Sequence, residues 1–307
     1  MDQRQQIAKR TLSTWRLQSR SLELGQRTLV MGVVNITPDS FSDGGLFVDP
    51  EAAVEQGLKL LDDGADLLDL GAESTRPGSH AGRDVPGVSA EEEQVRLLPV
   101  LNGIRAARAD AMISVDTYKA ATAKVALAAG AEIINDVSGL FWDSGLGSVC
   151  ARAGCGVVLM HTRGRPEEWK TQTKLEPDVV LKTVRGGLAA SLAKAAQAGI
   201  APEAVVLDPG YGFGKRFDEN FSLLSRQADL LDLGRPLLAG IWRKSFLGKA
   251  LASLYGGMTA PVEARETASI AAMVATILHG ASIVRVHAVR PAVEAAQIAD
   301  AVLNSLV

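Results

Sequence analysis

Apolar and polar positions follow a repeating rhythm along this chain. A short, nearly continuous apolar run ends on a polar side chain, a turn-rich polar segment follows, and then apolar residues recur at helical spacing. The first such run is Leu29, Val30, Met31, Val33 and Val34, which stops at Asn35 and gives way to Pro38, Asp39, Ser40, Ser42, Asp43, Gly44 and Gly45. An apolar run bounded by turn formers reads as a strand covered on both faces. Residues 51–63 then carry Val54, Leu58 and Leu61 at helical spacing and close at Gly64. A strand from about Leu67 runs into a long loop with Pro77, Gly78, Gly82, Pro86 and Gly87. Ser89 and Glu92 form a capping-box pair, starting a helix with the stripe Val95, Leu98, Leu101 and Ile104 and a kink at Pro99.

The rhythm continues to the C-terminus. Strands are predicted to end at Asp116, at Asn135 and Asp136, at His161, at Asp208, at Arg243 and Lys244, and at His287. Helices are predicted over 119–129, 146–153, from Pro177 through Ala195, 220–231, 264–278 and 291–303. Four helix-to-strand joints resemble one another, each a Gly (Gly64, Gly130, Gly154, Gly280) followed, after two intervening residues, by a buried-strand run. Eight strands alternating with eight helices, without a composition break, predict an α/β fold, one (β/α)8 barrel over 29–307. A doubly wound open sheet is the alternative. Residues 1–28 read as an N-terminal extension, frayed at its start, in which Trp15-Arg16-Leu17 and Leu22-Glu23-Leu24 alternate as a short β-hairpin.

Composition excludes several classes. The formal net charge is −3, so no global basic field points to nucleic acid or an anionic membrane. No apolar run is long enough to span a bilayer, and the polar N-terminus lacks the apolar core of a secretory signal. Two cysteines, Cys150 and Cys155, are too few for a disulfide framework or a four-thiolate metal site and read as thiols of a reducing cytoplasm.

In a barrel the carboxyl ends of the strands converge on one face, which gathers Asn35, Thr75, Arg76, Asp116, Asn135, His161, Asp208, Lys244, Arg285 and His287 around one mouth. Any one of them alone is an ordinary loop-start hydrogen bonder; a chain has no structural need to end every strand this way. The cations suit an anionic substrate, and arginine suits phosphate or carboxylate. Asp116, Asn135 and Asp208 complement a planar, nitrogen-rich ring whose N–H groups they can accept from, while Phe41 and Phe213 can pack on flat rings. Gly210-Tyr-Gly-Phe-Gly-Lys215 lacks the Walker spacing and reads as a flexible glycine loop that lets backbone approach a ligand. His161 and His287 have no partner at metal-site spacing, and His80 and His279 read as structural or solvated.

These segments together resemble a known family. GVVNITPDSFSDGG (32–45), GAESTRPG (71–78), SVDT (114–117), INDVSG (134–139), MHTRGRP (160–166), DPGYGFGK (208–215), RKSFLG (243–248) and RVH (285–287) are similar, in order, to the signatures of the dihydropteroate synthases. The resemblance implies a TIM barrel that joins 6-hydroxymethyl-7,8-dihydropterin diphosphate to 4-aminobenzoate, with Mg²⁺, in folate synthesis. It further implies a sulfonamide target and a homodimer with small-molecule substrates only. By matching positions it assigns Asp116, Asn135, Asp208 and Lys244 to the pterin, and Asn35, Arg285 and His287 to the diphosphate, with Asn35 beside Mg²⁺. Thr75, Arg76, Pro77, Phe213 and Lys244 would shape the aminobenzoate pocket, with Phe41 and Asp43 on the first loop; Asp116, Lys244 and Arg285 would carry the chemistry. The family chemistry is a dissociative substitution at the pterin CH₂, which asks for charge and positioning more than for a strong base. The chain departs from the family pattern at Ala72, at Trp242 (usually Ser), at Ala288 (usually Asp) and in a longer loop from Gly78 to Ser89. Trp242 is expected to narrow the acceptor pocket, and Ala288 to remove a carboxylate near the diphosphate pair. A catalytically weakened pterin-binding paralogue and a pterin-dependent methyltransferase barrel are the alternative readings.

Overall fold

The computed structural model describes residues 10–37, 49–73 and 87–305. A hairpin of β1 (Ser13–Arg16) and β2 (Ser21–Leu24) precedes the barrel. The barrel strands are β3 (Leu29–Asn35), β4 (Leu67–Gly71), β5 (Ile113–Asp116), β6 (Ile133–Asp136), β7 (Gly156–Met160), β8 (Val205–Asp208), β9 (Leu237–Ala239) and β10 (Ala281–Val286). They pair in parallel in that order, and β10 closes the ring on β3. The helices are α1 (Pro50–Asp62), α2 (Ala90–Ala107), α3 (Ala120–Ala128), α4 (Leu146–Ala153), α5 (Pro177–Ala198), α6 (Phe217–Ser225), α7 (Ser245–Ala250), α8 (Glu266–Leu278) and α9 (Val289–Asn304). The closed ring settles the choice between a barrel and an open sheet in favour of the barrel.

The four glycine joints work as their sequence implies. Gly64, Gly130, Gly154 and Gly280 all have positive φ, between 64° and 103°, which lets the chain leave each helix in the left-handed region and turn directly into the next strand. At the other ends, Asp49 caps α1 by accepting from the Glu51 and Ala52 amides, and Ser89 Oγ accepts from Glu92 N at 3.1 Å. Only this half of the expected capping box forms, because the Glu92 carboxylate pairs with Arg96 instead.

Several boundaries differ from the expectation. The α2 stripe is Leu97, Val100, Leu101 and Ile104, and Val95 is 74% exposed. Pro99 stays inside an uninterrupted helix on its exposed side, where a missing N–H costs least. The helix predicted over 220–231 is α6 followed by a separate 3-10 turn, Gln227–Leu233. Residues 262–265 are likewise a 3-10 turn ahead of α8, while α9 begins at Val289, before Pro291, which the first turn of a helix tolerates. Strand β9 ends at Ala239, five residues short of Lys244. Arg243 then takes φ 53°, its amide donates to Ser269 Oγ at 2.8 Å and its guanidinium pairs with Glu266 at 3.0 Å, so it belongs to the α8 side of the wall.

Two large apolar cores divide the molecule, and a third, small cluster of Tyr118, Val137 and Met160 packs against Trp142 and Phe213. Of the two cores, the larger lies between the strands and the helices; the smaller fills the barrel with Leu29, Met31, Leu67, Ile133, Val158, Val206, Leu238 and Ile283. The smaller core also contains Trp15, Leu17 and Leu24 of the hairpin, so the hairpin stoppers the amino-terminal end of the barrel. Trp15 is fully buried and its Nε1 donates to Ala204 O at 2.9 Å. Glu132 receives Ser19 N at 2.9 Å and Arg20 Nε at 3.2 Å, which ties the hairpin turn to the chain entering β6.

Candidate active site

Side chains alternate across each strand, so inward positions form layers, and the layer above the apolar plug is polar. Asp69 on β4, Ser114 on β5, Asn135 on β6 and Arg285 on β10 meet there. Asp69, with no exposed surface, accepts from Ser114 Oγ at 2.6 Å, from Asn135 Nδ2 at 3.0 Å and from Arg285 Nε at 2.6 Å. The same guanidinium donates through Nη2 to Asp116 Oδ2 at 2.9 Å. Arg285 is thus clamped between two carboxylates, and its Nη1 carries no hydrogen bond among the described residues. Asp208 comes from β8, and its Oδ1 accepts from Gly210 N at 2.7 Å. Gly240 borders this group: a Cβ there would lie in ordinary contact, 3.6 Å from Asp208 Oδ2 and 3.9 Å from Arg285 Cβ.

Lys244 reaches the same space from the N-cap of α7 rather than from a strand end. Its ammonium lies 3.9 Å from the Phe213 ring centroid, a cation–π contact that also fixes the ring face. Phe213 meets Trp169 edge-on at 5.1 Å on its other side. The glycine loop that carries Phe213 is pinned rather than flexible. Gly210, Gly212 and Gly214 all have positive φ, and the buried Lys215 ammonium donates to His161 O at 3.1 Å, Gly210 O at 2.7 Å and Phe213 O at 3.2 Å. Three donors meeting three carbonyls account for the lysine that imitates a phosphate loop.

Burial dominates the electrostatics. It pushes the Asp116 carboxyl up, to about 7, against the pull of Arg285. Burial also raises Asp208, opposed by the Gly210 amide and Lys244. Burial lowers Lys244 to about 8, with Arg285 adding to the effect and Asp208 opposing it. For Arg285 burial works downward, yet Asp69 and Asp116 outweigh it and the guanidinium is held more firmly charged than usual. The mouth therefore combines one fixed cation with groups that change charge near neutral pH, a pattern that marks functional sites.

Of the expected mouth residues, Asp116, Asn135, Asp208, Lys244, Arg285 and Phe213 share this cluster. Asn35 ends β3 and pairs in register with Gly71, itself paired with Asp116, and its side chain makes no hydrogen bond among the described residues. His287 directly follows β10. Thr75, Arg76, Pro77, Phe41, Asp43 and His80 lie outside the described residues. His161 is a correction. It falls one residue past Met160, on the outward parity, and is 6% exposed against α5 rather than in the mouth. Trp242 is 4% exposed and belongs to the larger core between strands and helices. Ala288 is the N-cap of α9 and supplies no side-chain cap; the family's usual Asp would suit that position. Asp69 and Ser114 escaped the sequence reading. A lone acid inside Leu67-Leu68-Asp69-Leu70, on the inward parity, was the available signal.

Comparison with known proteins agrees with this site. Residues 31–287 match the model of the family described as pterin binding enzyme. The dihydropteroate synthase of Mycobacterium leprae is 41% identical over 276 residues, covering 90% of this chain and 94% of that protein. The structure of the Xanthomonas albilineans dihydropteroate synthase with 4-aminobenzoic acid superposes with a TM-score of 0.82 at 39% identity, covering 96% of this chain and all of that one. The Yersinia pestis dihydropteroate synthase, solved in a sulfonamide complex, gives a TM-score of 0.83 at 36% identity over 95% of this chain and 99% of that one. A barrel of this topology, carrying this mouth and this extent of likeness, belongs to the dihydropteroate synthases, within the pterin binding enzyme family.

Proposed function

We propose that the mouth condenses 6-hydroxymethyl-7,8-dihydropterin diphosphate with 4-aminobenzoate, releasing diphosphate and 7,8-dihydropteroate. The observation that carries this reading is the Asp69–Arg285–Asp116 clamp, which offers a permanently charged guanidinium beside three groups, Asp116, Asn135 and Asp208, suited to a ring with several N–H donors. In this reading Asp116, Asn135, Asp208 and Lys244 hold the pterin. Arg285, His287 and Asn35 take the diphosphate, and Phe213 with the Lys244 stem walls the acceptor. Thr75, Arg76, Pro77, Phe41 and Asp43 complete the acceptor pocket by resemblance to the family alone.

The C–O bond to diphosphate breaks with its electron pair on oxygen, so the protein's work is to stabilise that departing charge. Arg285 does this without reorganising, because Asp69 and Asp116 already hold it in place. The arylamine is neutral and nucleophilic at pH 7 and needs orientation more than deprotonation.

Mg²⁺ is part of the proposal. Among the described residues no cluster of three or more His, Cys, Asp or Glu could cage a metal. An uncommitted Asn35 amide fits an ion that keeps its waters and binds chiefly through substrate phosphates. When bound, the ion would supply Lewis-acid stabilisation to the diphosphate. A cytoplasmic homodimer is proposed on family resemblance; no helix among the described residues is long and apolar enough to cross a membrane.

Diphosphate release from the pterin diphosphate, measured with and without 4-aminobenzoate, tests the function. Release that depends on the acceptor and yields a pterin–arylamine product is expected. Pterin binding without release would favour the weakened paralogue, and release blind to the acceptor would favour another barrel chemistry. Asp116→Ala and Arg285→Ala should each nearly abolish turnover in protein that remains folded by circular dichroism. Near-normal activity in either would remove the site assignment.

A further inference from the structure

A side cavity of about 260 Å³ lies beside the mouth, between the β6–α4 connection, the end of β7 and the middle of α5. Its walls include Phe141, Trp142, Met160 and His161, and among the described mouth residues Asp69, Asp116, Asn135, Asp208, Lys244 and Arg285 do not line it. His161 is the unusual member. Its imidazole is 6% exposed and Nδ1 has no hydrogen-bond partner among the described residues. Buried polar atoms are almost always satisfied, so an unsatisfied one calls for a reason. The helix accommodates this ring: a Cβ on Gly187 would sit 2.3 Å from His161 Cδ2.

The other polar side chains here are already committed. Ser138 Oγ accepts from the Phe141 and Trp142 amides, Thr162 Oγ1 donates to Gly164 O, and Ser191 Oγ donates to Gly187 O. The imidazole therefore carries the one buried and unsatisfied side-chain polar atom of the cavity wall among the described residues. Burial, with Lys215 and Arg163 nearby, keeps it neutral by holding its pKa well below the usual range.

Both aromatic walls carry a cation. Lys194 Nζ stands 4.7 Å from the Phe141 centroid, and Arg165 Cζ stands 5.6 Å from that of Trp142. The loop that presents these rings is held in a costly conformation. Leu140 has φ 70°, and its amide and that of Ser138 are fastened to the Asp136 carboxylate at 2.6 and 2.8 Å. Phe141 is left 52% exposed at the rim.

We propose that this cavity is a binding site for a small aromatic anion, packing its ring on Phe141 and Trp142, directing its anionic group to Lys194 and Arg165, and meeting the His161 imidazole with a polar edge. It borders the mouth through Met160 and Trp142, which share an apolar cluster with Phe213, but does not rest on the reaction assigned there. 1-Naphthoate is a suitable probe, with neutral 1-naphthalenemethanol as its control. Titration of the full chain, followed by ¹⁵N spectra of the histidine rings and by calorimetry, should show saturable naphthoate binding with a shift at His161. Phe141→Ala and Lys194→Glu, both at exposed positions, should each weaken it about fivefold or more. The neutral control should bind correspondingly weaker, while Lys244→Ala in the mouth should leave the affinity unchanged. Absence of saturable binding at millimolar probe would overturn the proposal. So would affinity lost in Lys244→Ala but retained in Phe141→Ala, which would place the probe in the mouth.

Discussion

At the scale of single residues, Asp69 organises the mouth more than any group read from the sequence. It holds Ser114, Asn135 and Arg285 at once, in a place with no access to water. Removing one partner of a buried ion pair leaves the other uncompensated, at a cost of about 3–5 kcal/mol. Asp69→Ala should therefore lower unfolding stability by that order, whereas Asp69→Asn, which keeps the shape, should lose less; urea unfolding of the two variants compares them. Asp116 invites a different measurement. Its folded pKa, about 7, lies above the ordinary value of 3.8, so its contribution to stability is fully present below the ordinary value and is lost as pH rises through about 7. Ligand binding runs the other way. A carboxyl must be ionised to accept from a ring N–H, so pterin affinity should strengthen as pH rises through about 7. Asp208, also raised by burial, adds to the slope. Calorimetric titration with a pterin between pH 6 and 8 should show the slope reduced in Asp116→Asn; an identical profile would exclude Asp116 as the titrating group.

At the scale of elements, the strands and their glycine exits were legible because period and punctuation are local signals. Asn35, Asp116, Asn135 and Asp208 stand at strand ends as read. The misreadings arise where a local pattern leaves two outcomes open. His161 extends an apolar run by one residue, and one residue inverts the face it occupies. Val95 and Leu98 fit a helical stripe as well as the true one, and only the packing of α2 selects Leu97 and Val100. Lys244 belongs to a helix start because the strand stops at Ala239 and the chain then turns at Arg243, φ 53°, a backbone turn that no side-chain pattern announces. The glycine loop shows how much a tertiary contact can change. Read as mobile, it is a rigid shelf whose shape depends on Lys215. Lys215→Met would strand buried carbonyls, each worth about 1–3 kcal/mol when left unsatisfied. The variant should be several kcal/mol less stable and should also bind the acceptor more weakly, since Phe213 loses its fixed position. A loss of stability with acceptor affinity unchanged would detach the shelf from the acceptor pocket.

At the scale of the whole molecule, the barrel separates support from chemistry along its axis. The apolar plug and hairpin close one end, and the charged layer begins directly above them at Asp69. What looks in sequence like an appendage of 28 residues therefore includes part of the barrel's floor, which a pattern of alternating residues could not disclose, because it says which positions are apolar and not what they face. Trp15 is the test of that floor. It is completely buried, its indole N–H is bonded to Ala204 O, and it shares a core with strand residues from around the ring. Trp→Ala at such a site costs about 3–5 kcal/mol through lost transfer energy and the cavity left behind. If the floor supports the charged layer as a rigid stack, Trp15→Ala should also lower turnover at temperatures well below its melting point, through looser placement of Arg285 rather than through loss of any group that touches substrate. Turnover and melting temperature measured on the same preparation separate the possibilities. A lowered melting temperature with unchanged kcat would mean that the plug stabilises the barrel while the Asp69–Arg285–Asp116 clamp holds its own geometry.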